Sequence, residues 1–71
     1  MTFQQLQYIL EIARTGTVAG AAKALFISSS SVSISLNALE KELGYPIFTR
    51  TQKGLVPTTS GSQVLDYADQ I

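Results

Sequence analysis

Apolar residues recur at helical spacing in four stretches of this chain, separated by residues that cap helices or make turns. Phe3, Leu6, Leu10 and Ala13 fall on one stripe with Ile9 beside it, which predicts a helix over Phe3–Thr15. Thr2 and Gln5 form a capping box at its start, and Gly16 suits the left-handed position that ends it. Val18, Ala21, Ala22 and Leu25 share one face of a shorter helix capped by Thr17. The alanine pair lets another helix cross close by. Gly20 costs about 1 kcal/mol against alanine inside a helix, so it is either a tolerated exposed position or a close approach to a phosphate. Phe26-Ile27 then makes an apolar turn, and Ser28 caps a third helix over Ser29–Leu43. Its core stripe is Val32, Leu36, Leu39 and Leu43, and Gly44 ends it.

The pattern changes at Tyr45. Pro46 stops any helix. Ile47–Arg50 and Leu55–Val56 read as short strands about a turn at Thr51–Gly54, with Pro57 closing the second. Two lone strands are marginal by themselves, so Ile47 or Phe48 must pack on the helices. A fourth helix starts after Thr58, with Val64, Leu65, Ala68 and Ile71 as its apolar stripe and Tyr67 nearby. That stripe runs to the last residue without a glycine cap, so it either continues in a longer chain or meets another subunit. The expected fold is mainly α. Residues 1–58 form a winged helix-turn-helix of three helices plus a two-stranded wing, the helix-turn-helix itself at 18–37. Residues 59–71 begin a linker or dimerisation helix.

Composition narrows the chemistry. The 71 residues include no cysteine and no histidine, which excludes disulfides, thiolate zinc sites, thiol nucleophiles and the commonest general base. No apolar run approaches ~18 residues, and the opening segment lacks the basic start of a signal peptide. A cytoplasmic protein, or a fragment of one, with no membrane partner, is the expectation. The net charge of zero argues mildly against nucleic acid. Its distribution softens that objection. The acids are Glu11, Glu40, Glu42, Asp66 and Asp69, so windows 12–39 and 43–65 contain none, yet they hold Arg14, Lys23, Arg50 and Lys53.

A small-residue helix joined by a tight turn to a helix with a hydroxyl-rich head is the layout that places one helix in the major groove of DNA. At ~100° per residue, the face opposite the core stripe holds Ser30, Ile34 and Asn37, with Ser33 at its edge. Ser28 to Ser31 add hydroxyls and free backbone N–H groups at a helix N-terminus, which favours phosphate oxygens.

These residues resemble the N-terminal DNA-binding domain of LysR-type transcriptional regulators. The resemblance covers essentially the whole chain. It is carried by Leu6 and Ile9, Thr17-Val18, Ala21-Ala22, Leu25, Ser28, Val32-Ser33, Leu39-Glu40, Leu43-Gly44, Ile47-Phe48-Thr49-Arg50 and Thr58-Thr59-Ser60-Gly61. It implies a recognition helix at 29–43, a wing at 47–57 near the minor groove or backbone, and double-stranded DNA carrying a promoter inverted repeat as partner. It also implies a linker helix that pairs subunits into dimers or tetramers. No cofactor is expected in this domain; a small-molecule co-inducer would bind a C-terminal domain absent from the chain. Two positions depart from the family. Relatives often have glutamine where Ser29 stands and arginine where Ile34 stands, side chains that read adenine and guanine. Looser direct readout, with more dependence on DNA shape, follows. Ile34 touches a thymine methyl, packs on a neighbour, or is tolerated.

The candidate DNA contacts are Thr17, Ser28, Ser29, Ser30, Ser33, Ile34, Asn37, Arg50 and Lys53. The candidate dimerisation residues are Val64, Leu65, Ala68 and Ile71. Arg50 has a second reading, as the partner of an acid such as Glu40. An enzyme is unsupported: the serine tract has no base at a useful spacing, and the glycines form no phosphate loop. The stronger rival is a winged-helix module that binds protein rather than DNA, favoured by the zero net charge and the outward Ile34.

Overall fold

Each break in the apolar pattern is a place where the chain turns. The computed structural model describes residues 1–70, in the order α1 (Phe3–Thr15), α2 (Val18–Leu25), α3 (Ser29–Leu43), β1 (Phe48–Thr51), β2 (Gly54–Pro57) and α4 (Thr59–Asp69). The capping box is formed: the Gln5 N–H donates to Thr2 Oγ1 at 3.1 Å and the Thr2 N–H to Gln5 Oε1 at 2.9 Å. Thr17, Ser28 and Thr58 cap α2, α3 and α4 by accepting the N–H of Gly20, Ser31 and Gly61. Gly16 and Gly44 close α1 and α3 in the left-handed conformation.

The core joins Leu6, Ile9 and Ile12 of α1 to Ala21 and Ala22 of α2, and to Val32, Leu36 and Leu39 of α3. Ile47 and Phe48 bring the wing onto it, and Val64 and Ala68 bring α4. The inward face of α1 is rotated from the predicted stripe. Ile9 and Ile12 are fully buried, Leu10 is half-buried, and Phe3 and Ala13 are exposed. The reason is that α2, α3 and α4 all pack on α1, so several sides of that helix compete for burial. Gly20 is not the tolerated exposed position of the first sequence reading, being half-buried. A Cβ there would come within 2.8 Å of Thr17 Oγ1 and 2.9 Å of Thr15 Cβ, so its space is taken by the two threonines that shape the α1–α2 turn.

Between α2 and α3 the chain bends by 116°. Phe26 makes that bend with φ 60 and ψ 40, which lets the Ile27 N–H donate to the Ala22 carbonyl at 3.0 Å. This closes a helix end that usually employs glycine. A left-handed L-residue costs roughly 1–2 kcal/mol, and Phe26 recovers none of it by burial, being 95% exposed. Phe26→Asn is therefore expected to stabilise the domain by about 1 kcal/mol, raising Tm by roughly 4–8 °C in thermal unfolding. An unchanged or lower Tm would show that the phenyl ring makes a contact worth keeping.

The antiparallel wing pairs Phe48 with Pro57 and Thr51 with Gly54, leaving Gln52-Lys53 as a two-residue turn. It is tighter than the predicted four-residue turn, and β1 starts one residue later because Ile47 is committed to the core. Gly54 seats the wing. The Leu55 N–H donates to the Gly16 carbonyl at 2.8 Å, and a Cβ on Gly54 would lie 2.6 Å from that same oxygen.

Candidate nucleic-acid interface

The head of α3 presents hydroxyls with divided tasks. Ser28 Oγ accepts the Ser31 N–H at 3.1 Å and lies 2.9 Å from Ser31 Oγ. These two hydroxyls serve each other and the helix start. Ser29 and Ser30 are exposed with no protein partner for their hydroxyls among the described residues, and their backbone N–H groups belong to the open first turn. Ile34 and Asn37 are exposed further along the same helix, and Ser33 is half-buried at the edge. Ile34 is 70% exposed, which removes packing on a neighbour within this chain as its explanation.

The charges sort by use. Arg14 Nε donates to Glu11 at 2.7 Å, and that hydrogen bond holds the Glu11 carboxyl below the usual carboxylate range. The N-terminal ammonium pairs with Glu42 at 2.6 Å. Lys23, Arg50 and Lys53 have no carboxylate partner among the described residues. The alternative pairing of Arg50 with Glu40 is not formed. Glu40 Oε2 instead accepts the Ile47 N–H at 2.6 Å, with the Phe48 N–H at 3.4 Å. Glu40 thus ties α3 to the start of the wing, and its place near a helix C-terminus, unfavourable to an acid, is offset by those donors.

Seating the wing on the α1–α2 turn brings Arg50 beside Thr17. They line a cleft of about 250 Å³ with Val18, Ala19 and Gly54. A helix N-terminus and an unpaired guanidinium there make a corner of positive potential. In the sequence the two residues are separate candidates, and nothing in their spacing predicts the juxtaposition. The one readable signal is Gly54, where a side chain would block the approach.

The dimerisation stripe needs correcting. Val64 and Ala68 are 7% and 5% exposed, because α4 packs that face on α1. They close this domain's own core and leave little surface for a second subunit. Leu65 is half-buried and Tyr67 is exposed. Ile71 lies outside the described residues. No single described helix is long and apolar enough to cross a membrane.

A family profile described as "Bacterial regulatory helix-turn-helix protein, lysR family" matches residues 3–62. This chain belongs to the lysR family. Among the lysR-family relatives, HTH-type transcriptional regulator ClcR of Pseudomonas putida is 35% identical over all 71 residues, which cover 24% of ClcR. HTH-type transcriptional regulator HdfR of Salmonella newport is 37% identical over the same 71 residues, covering 26% of its length. The chain thus spans about a quarter of the length of these relatives. The crystal structure of a CbnR DBD–DNA complex superposes with a TM-score of 0.91 at 34% identity, over 99% of this chain and 80% of that one. The lysR match covers the helix-turn-helix, the wing and the first turn of α4 together.

Proposed function

We propose that this domain binds double-stranded DNA as the sequence-reading part of a transcriptional regulator, α3 in the major groove and the wing against the adjacent minor groove or backbone. The observation that carries it is an exposed, acid-free head on α3 in a lysR-family chain whose solved relative CbnR was crystallised with DNA. That likeness favours DNA over a protein-binding winged helix. Ser29, Ser30, Ser33, Ile34 and Asn37 face base edges, and Thr17, Arg50 and Lys53 hold phosphates. Ser28 organises the helix end. In the full-length regulator, subunits pair beyond the buried face of α4 on a promoter inverted repeat. A small-molecule co-inducer acts through a domain outside these residues. The regulator works where the chromosome is, in the cytoplasm.

The test is a salt titration of duplex binding. Two phosphates neutralised per subunit give a dimer a Z of about 4 and a slope of log K against log salt near −3.6. A slope near −8 would reveal a further set of cationic contacts. Absence of salt-sensitive binding to any duplex, even with the domain fused to a dimeriser, would overturn the reading.

A further inference from the structure

The groove-facing side of α3 is uncharged. From Ser29 to Leu39 the helix carries no acidic or basic side chain, and the residues exposed there are Ser29, Ser30, Ser31, Ile34, Asn37 and Ala38. Ile34 stands among small neighbours. Its near positions on the helix surface are Ser30 and Ser31 one turn before, and Asn37 and Ala38 one turn after. Its branched tip therefore projects past the serines and the alanine. A β-branched side chain in a helix holds essentially one χ1 rotamer, so Ile34 presents a fixed apolar surface and loses little entropy on docking.

Major-groove base edges offer one apolar feature, the 5-methyl group of thymine. Every other position there is a donor, an acceptor or a weakly polar C–H. An isoleucine laid over a donor or acceptor strips its water and returns no hydrogen bond, which is unfavourable. Over a thymine methyl, the same side chain buries apolar surface on both partners. One contact thus attracts thymine, gains less over a cytosine C–H and is penalised over a donor or acceptor.

We infer that Ile34 is a specificity-determining residue that selects a thymine in each operator half-site by packing on its 5-methyl group. The inference rests on the DNA-binding reading above. It converts an exposed apolar residue on a polar face into a base preference.

The experiment is methyl deletion. Duplexes are first selected from a random pool with the wild-type chain, and each thymine of the selected half-site is then replaced by deoxyuridine, which removes only the methyl. One or two positions are expected to lose about fourfold in affinity, the equivalent of one methyl-sized apolar group returned to water. In Ile34→Ala that penalty should vanish at those positions and persist at any others. Ile34 lies outside the core, so this variant is expected to keep the wild-type Tm. A second variant, Ile34→Arg, should shift a fresh selection from thymine towards guanine at the same position.

Deoxyuridine replacement without effect at every thymine, or a penalty unchanged in Ile34→Ala, would overturn the inference while leaving DNA binding intact. Failure to enrich any duplex would overturn the DNA-binding reading and this inference together.

Discussion

Gly61→Ala is expected to destabilise the domain by about 3 kcal/mol, the upper end for overpacking a close-packed site. Two effects of opposite sign meet at this residue. Gly61 lies in the first turn of α4 and is buried. Alanine is a better helix former than glycine by about 1 kcal/mol, so propensity alone predicts stabilisation. The surroundings reverse it. A Cβ at Gly61 would overlap the Ile47 carbonyl oxygen and crowd the Ile47 carbonyl carbon at 2.7 Å. That oxygen is backbone, and it accepts the Thr58 N–H at 2.9 Å. The Thr58 hydroxyl donates to the Pro46 carbonyl at 2.7 Å. The Pro46-Ile47 segment that would have to move is therefore pinned to the helix that would push it. A domain of this size has a total stability of roughly 4–10 kcal/mol, and Tm should fall by roughly 12–24 °C. Gly44→Ala is the control: it also sits at a helix end, with φ +83 but nothing within 4 Å of the added Cβ. Its loss should stay at about 1–2 kcal/mol, the cost of a left-handed L-residue. Equal losses in the two variants would show that overlap with Ile47 is not what requires Gly61.

Gly61 also marks how far the sequence can be read. Local features are legible because their causes are local. Thr2, Thr17, Ser28 and Thr58 cap their helices, and Gly16 and Gly44 end theirs, as side-chain chemistry and left-handed geometry require. Features set by a partner distant in sequence are not. The inward side of α1 depends on three other helices, so one stripe cannot define it, and Ile12 falls off that stripe although it is fully buried. The burial of Val64 and Ala68 continues from Gly61 at spacings of three and four residues, but glycine carries no apolar label, so the row looks like an open stripe. On α3 the core stripe and the outward face are both readable, since a single helical period separates them. The corner formed by Thr17 and Arg50 is not, because only the seating of Gly54 on Gly16 brings the wing to that turn.

Glu40 gives the second large effect and bears directly on the interface. Its carboxylate accepts the Ile47 N–H at 2.6 Å, at a residue with no exposed surface. The bond to Phe48 at 3.4 Å is too long to add much. Hydrogen bonds to charged groups contribute about 1.5–3 kcal/mol, and removing the acceptor leaves a buried donor without a partner. Glu40→Ala should therefore cost about 2–3 kcal/mol, a drop of roughly 8–24 °C in Tm. Glu40→Gln retains a carbonyl acceptor without the charge and should recover about half of that. The consequence for binding follows from what Glu40 connects. It fixes the residue before β1 to the last turn of α3, and β1 carries Arg50. Loosening that tie leaves the head of α3 capped by Ser28 but lets the wing cations wander. Below its Tm, Glu40→Ala should keep the base preferences of the wild type while binding every duplex more weakly. Its salt slope should flatten by about one unit for each phosphate that the wing no longer neutralises. A changed base preference with an unchanged salt slope would show that Glu40 orients α3 rather than the wing.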